Sequence, residues 1–392
     1  MFMRKVSVLS IFFLIVSIAL PQANAADTKV STKSGNSSKF RVLIPITLPI
    51  SQNGEITFSN IQDHVSEIPN TAWQNVQDVI AASDAVAAKH DIYIGPNTQL
   101  TISGGKAQIN AVLEKATKLW SGFKLTKYYS LVYYNQTDEK WAEKTTKKIW
   151  KKKGYEPSTV GGAIHALQIS CQNQSAPGVG GTARGFCGGA DAGAVPNTDN
   201  SFIQVAEGDV NHPDTNGSIL VHEFTHTVQS AQWIGIGNCR NEGNNCSRTQ
   251  LSNNFSPCWL NEGLPNGINT LITSSDIDAY LLNRSFGKDT SQKVTDYSEQ
   301  SIKKYLYNQS APTCYKNGPL YQLGYGVGAM TVEALVAIGG PHATMAIFSL
   351  GAKGQDFPTA FKNVYGISWN KASTILAKAL AAEYATFGSP PN

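Results

Sequence analysis

The stretch Val221 to Gln229 reads VHEFTHTVQ, with two histidines four residues apart and a glutamate beside the first. In a helix, residues i and i+4 leave the same face one turn apart, so the imidazoles of His222 and His226 converge. Two nitrogens at that spacing suit one tetrahedral zinc ion. Glu223 is displaced around the helix yet stays near the metal's open side, where a carboxylate can take a proton from water. The chemistry this points to is hydrolysis by a metal-activated water. The competing reading is a chance HExxH on a surface helix, and a third ligand decides between the two.

The elements that must position these groups are legible around them. Gly217-Ser218 offers a helix start, and Ile219, Leu220 and Val221 anchor one side of that helix in a core. SFIQVAEGD (201–209) reads as a strand leading through a polar turn into the motif. Downstream lies PCWLNEGL (257–264), which offers a carboxylate at Glu262; two histidines and a carboxylate leave a fourth position for water, the catalytic arrangement.

HExxH followed by WLNEG resembles the gluzincin zinc metallopeptidases of the peptidase MA-like group, whose third ligand is the Glu of a W-x-x-E-G segment. The resemblance implies zinc held by His222, His226 and Glu262, with Glu223 as general base. A further match is LYQLGYGVGAMTVEALVAIGG followed by DFPTAFKNVYGIS, similar to the final helices of that group with their Y-x-x-G opening. The tyrosine there would donate to the oxyanion: Tyr325 fits the spacing to Leu335 and Gly339 better, with Tyr321 as the alternative. The metzincin pattern fails, since no histidine follows His226 at its spacing. The chain also departs from the gluzincin pattern. Thirty-five residues separate His226 from Glu262, EGLP replaces EGLA, and the GAMEN segment of the aminopeptidases is absent. Pro265 must therefore sit in the first turn of its helix or bend it. The lack of an anchor for a free amine favours endopeptidase over aminopeptidase.

The first residues carry Arg4 and Lys5, an uncharged apolar run from Val6 to Leu20, and Ala23-Asn24-Ala25, the layout of a cleaved export signal. That run is shorter than the ~20 residues a membrane span needs, no later segment is long enough, and the mature chain is expected to begin at Ala26, secreted or periplasmic. The formal charge of +4 falls to +2 once Arg4 and Lys5 leave, too weak a bias for a nucleic-acid partner. Six cysteines in an exported chain favour disulfides, with 171–187, 239–246 and 258–314 as the local pairing. No cysteine lies in 26–103, which excludes a cysteine-switch inhibitor there.

Along the chain, 1–25 is the signal, 26–103 an N-terminal region (a polar leader, then strand, helix and strand) and 104–392 the gluzincin-like domain. KFRVLIPITLPI reads as strand broken by prolines, and TAWQNVQDVIAASDAVAAKH as helix. Ile109, Val112, Leu113, Ala116 and Leu119 recur at helical spacing, YYSLVYYN reads as strand, and DEKWAEKTTKKIWKKK as a helix with a solvated lysine face. Residues 157–200 read as loop; their glycines lack a GK[ST] and give no nucleotide site. His64, His90, His165, His212 and His342 have no partner at ligand spacing, although His212 precedes the zinc helix closely enough to approach it.

The expected fold is α+β: a zincin-like metallopeptidase domain, with a small mixed sheet, a mainly helical half and an active-site cleft between them, preceded by a small mixed N-terminal region. The expected activity is cleavage of a peptide or protein substrate. Two rivals remain, a zinc hydrolase of non-peptide amides or esters and a non-catalytic adhesion protein; an intact Glu223 argues against the second.

Overall fold

The computed structural model describes residues 42–158, 160, 189–207, 214–236, 247–284, 296–308 and 318–386. The expected export signal, the polar leader, most of the glycine-rich loop, His165, His212 and five of the six cysteines lie outside these residues, as does the side chain of Tyr321.

The chain folds into a mixed α+β structure. Helix α1 (Ile68–Ala81) leads to β1 (His90–Ile94), α2 (Gly105–Leu119), β2 (Tyr128–Tyr134) and α3 (Glu139–Lys152). After β3 (Gly189–Ala194) and β4 (Asn200–Ala206) the chain is helical: α4 (Ser218–Ala231), α5 (Arg248–Phe255), the single turn α6 (Cys258–Asn261), α7 (Gly263–Thr273), α8 (Ile277–Arg284), α9 (Glu299–Asn308), α10 (Gly318–Gly339), α11 (Pro341–Gly351), α12 (Phe357–Tyr365) and α13 (Trp369–Thr386).

The sheet order is β1-β2-β4-β3. The first three strands run parallel and β3 pairs antiparallel with β4, Asp191 opposite Gln204. Period-2 alternation sends successive side chains of β2 and β4 to opposite faces. Tyr129, Leu131, Tyr133, Ile203 and Val205 enter the main core with α2 and α4. Tyr128, Val132, Tyr134, Phe202 and Ala206 pack with Ile149 and Trp150 of α3 in a second, smaller cluster. Both faces are covered, which is why YYSLVYY is apolar almost throughout.

Two expectations are corrected here. The run 42–50 is not a strand: Pro45 and Pro49 supply no ladder donors, and only Ile50 makes a backbone bond of note, donating to Val364 at 2.8 Å. The reading of 157–200 as loop missed β3, because GADAGA has almost no intrinsic strand preference and owes its conformation to pairing with β4.

Residues 42–103 pack into the same core as the C-terminal helices. The side-chain amides of Gln62, Asn75 and Gln77 donate to the carbonyls of Ile375, Val336 and Leu271 at 2.8–2.9 Å. Helix α10 is almost wholly buried from Val327 to Ile338, apolar there except for Thr331 and Glu333. No single helix among the described residues is long and apolar enough to cross a membrane. The lysines of α3 at 147, 148, 151 and 152 are exposed, a solvated face, and Lys153 lies over the Tyr128 ring.

Candidate metal centre

Helix α4 begins where the sequence placed it. Gly217 is the N-cap at φ +87°, and a β-carbon there would stand 3.0 Å from both Ile102 and Val112, so glycine is required twice over. Asp214 supplies the capping oxygen instead: Oδ1 accepts from the Ile219 amide and the Ser218 hydroxyl, both at 3.2 Å. Leu220, Val221, Phe224 and Val228 are fully buried, and the Phe224 ring packs 5.0 Å from that of Tyr129. This fixes the helix against the sheet and turns His222 and His226 towards Glu262 and Tyr325.

Nε2 of His226 lies 3.2 Å from Nε2 of His222 and 3.3 Å from Oε2 of Glu262, and His222 Nε2 to Glu262 Oε2 is 3.7 Å. Bonds of about 2.0–2.1 Å in a tetrahedral site put neighbouring donors roughly 3.3–3.4 Å apart. The three side chains therefore fit a single ion of that size, and the described residues contain no second such group. All three are largely withdrawn from solvent.

The carboxylate arrives on the turn between α6 and α7. Trp259 and Leu260 of α6 are fully buried, and Trp259 stacks on Trp369 of α13 with centroids 4.8 Å apart. Cys258 is disulfide-bonded; its partner, and with it the pairing to Cys314, lies outside the described residues. Pro265 sits in the first turn of α7. Tyr325 comes from α10: its ring stacks on His222 at 5.8 Å and 14°, and its carbonyl accepts from Asn266 Nδ2 at 2.6 Å. Thus the structure brings His222, Glu223, His226, Glu262 and Tyr325 to one place.

The electrostatics follow from burial and mutual charge. Burial lowers His222, with Glu262 opposing. Burial also works against charged His226, but the Glu262 carboxylate outweighs it and holds that ring up at about 9. Burial works against ionised Glu262 too, and the two histidines still bring it well below the usual carboxylate range. Glu223 is pushed up to about 8 by burial, with His226 pulling the other way.

Four residues near the centre had no role in the sequence reading. Gln229 bonds His226 and the Asn261 backbone, and Asn261 Nδ2 donates to Glu262 Oε1 at 3.3 Å. Tyr305 on α9 has a buried hydroxyl with no hydrogen bond among the described residues, and its phenol is raised by burial and then by Glu262. Asp191 on β3 is pushed up to about 7 by burial against the pull of His226. Only Gln229 carried a sequence signal: it stands at i+3 from His226, on the same helix face. Among the other histidines, His64 pairs with Glu67, His90 bonds Ala88 and Asn110, and His342 bonds the Leu119 carbonyl.

No family model, no curated protein and no solved structure matches the chain.

Proposed function

We propose that the chain is an exported zinc metallopeptidase of gluzincin type, with His222, His226 and Glu262 as ligands. The observation that carries the reading is the convergence of their three donor atoms at 3.2–3.7 Å with the buried Glu223 carboxyl beside them. The spacing of HExxH, WLNEG and YxxG supports the same assignment, and with it a zincin-like arrangement of the helices around the sheet.

Zinc in this position would acidify a water and polarise a scissile carbonyl. Glu223 takes a proton from the attacking water and passes it to the leaving amine. In the metal-free chain Glu223 is pushed up to about 8 and so holds its proton at neutral pH. A nearby dication favours the ionised form, which couples metal loading to readiness of the base. Tyr325, held against His222, steadies the negative charge that develops on the carbonyl oxygen. The substrate is a peptide or protein cut internally, since nothing in the sequence resembles the amine-binding segment of the aminopeptidases.

The test pairs metal analysis of the mature protein with a mixed-proteome digest, wild type against Glu223→Gln. One zinc per chain in both, with new peptide ends only from wild type, supports the reading. A fully active Glu223→Gln variant sinks the mechanism; zinc without cleavage turns the assignment towards a non-peptide amide or ester, or a binding role.

A further inference from the structure

We infer that Gln229 is a positioning residue of the metal centre, a single buried amide that fixes the ring of His226 and the segment carrying Glu262 together, at the point where Pro265 withholds a helical donor. The inference rests on the metal-binding reading above.

The Gln229 side chain is 1% exposed and bridges α4 to the end of α6. Its Nε2 donates to the Asn261 carbonyl at 3.1 Å, and its Oε1 lies 2.9 Å from Nδ1 of His226. A backbone carbonyl only accepts, so the NH2 end of the amide must face Asn261. The oxygen end then faces His226, and since that oxygen also only accepts, Nδ1 must carry a hydrogen. In the neutral ring this leaves the Nε2 lone pair directed at His222 and Glu262. The donor and acceptor rules thus allow the neutral ring one tautomer, and it is the one that can ligate.

The Asn261 carbonyl lacks its helical donor for a local reason. Helical bonding continues past α6, with the Asn266 amide donating to the Glu262 carbonyl at 3.1 Å. In that register the donor to the Asn261 carbonyl would be residue 265, and Pro265 has no N–H. Gln229 supplies the missing donor from another helix. The bond ties the Glu262 segment to α4 at the position where the helix itself has no donor to give. Asn261 is held from its other end by the Ser256 hydroxyl, which donates to its Oδ1 at 3.1 Å.

The test uses the full mature chain as wild type, Gln229→Leu, Gln229→Glu and the double variant Gln229→Leu with Pro265→Ala. Zinc affinity is read by competition with a chromophoric chelator, and ligand geometry by the visible spectrum of the cobalt(II) form. Gln229→Leu is expected to weaken zinc binding roughly 10- to 100-fold and to alter the cobalt spectrum. Gln229→Glu keeps an acceptor for Nδ1 but loses the donor to Asn261, so it should lose less. The double variant restores a backbone N–H for Asn261 and should regain part of the loss, which a packing defect at 229 would not allow. Wild-type affinity in a folded Gln229→Leu overturns the inference; if that variant does not fold, wild-type affinity in Gln229→Glu does so. A wild-type chain that takes up no zinc overturns the metal reading itself.

Discussion

Gly263 and Gly328 meet backbone to backbone where α7 crosses α10: a β-carbon on Gly263 would stand 2.4 Å from the carbonyl carbon of Gly328. One on Gly328 would stand 2.5 Å from the Trp259 carbonyl oxygen. Each glycine belongs to a Gly-x-x-x-Gly pair, 263–267 and 324–328, and Gly324 lies against Cys258 and the Cβ of Glu262. This close crossing brings Tyr325 beside His222 on α4, while Glu262 approaches from the turn between α6 and α7.

Alanine at 263 or 328 should therefore destabilise the protein, although both positions are helical and Gly→Ala in a helix otherwise gains roughly 0.5–1 kcal/mol. The atoms met are backbone and have no rotamer to escape into, and overpacking of that kind costs about 1–3 kcal/mol or more. Thermal melts of the two variants should fall below wild type, with zinc affinity falling alongside. A melting point at or above wild type would show that the helices slide apart freely.

How far the sequence reveals this arrangement depends on whether the signal is local. His222, Glu223 and His226 are fixed by helical spacing alone, and Gly217-Ser218 marks the start of their helix. Glu262 is different, because nothing local says that its turn lies against α4; its position rests on the buried Trp259–Trp369 stack, a contact across 110 residues. The strand β3 is invisible for the same reason: GADAGA takes its form from β4. The Gly263–Gly328 crossing and the Gln229–Asn261 bond likewise join elements whose meeting no periodicity encodes.

Removing Glu262 should act on His226 as well as on the metal. Its carboxylate is the main group that holds that imidazole up at about 9 against burial. In Glu262→Ala without metal, the ring should titrate well below 9, because burial loses its main counterweight and only Glu223 and Gln229 still oppose it. A pH titration followed by NMR of the histidine ring protons checks this. Zinc affinity in the variant should fall by more than the roughly 100-fold that an outer-sphere change can cause.

Metal uptake should release protons. At pH 7 the metal-free chain holds a proton on His226, pushed up to about 9, and another on Glu223, pushed up to about 8. A ligating imidazole must lose its proton, so affinity should rise with pH between 7 and 9 and level off above, nearly tenfold per unit from the histidine alone. Glu223 adds to the release if the dication ionises it. Calorimetric zinc titrations in buffers of different ionisation enthalpy count the protons directly. A pH-independent affinity across this range would mean that His226 is already neutral before the metal arrives.

The helical half contains a charged cluster whose removal should be costly, away from any ligand. Arg284 on α8 forks onto Glu333 of α10, Nε to Oε2 at 2.7 Å and Nη2 to Oε1 at 2.6 Å, and reaches Glu383 of α13 at 3.0 Å. Tyr280 also donates to Glu333, and both carboxylates are almost wholly buried. Burial and then Glu333 push the Glu383 carboxyl well up, with Arg284 opposing. Arg284→Met leaves two buried acids without their cation, a change worth about 3–5 kcal/mol. The sign of its pH dependence follows from Glu383: an acid raised by burial is tolerated when protonated, so the loss should be smallest in acid and grow as pH rises. Urea melts of wild type and Arg284→Met at pH 5 and pH 8 should show the wider gap at pH 8. A gap that narrows towards pH 8 would place the cost of the variant in lost packing around the guanidinium, with the carboxylates finding compensation elsewhere.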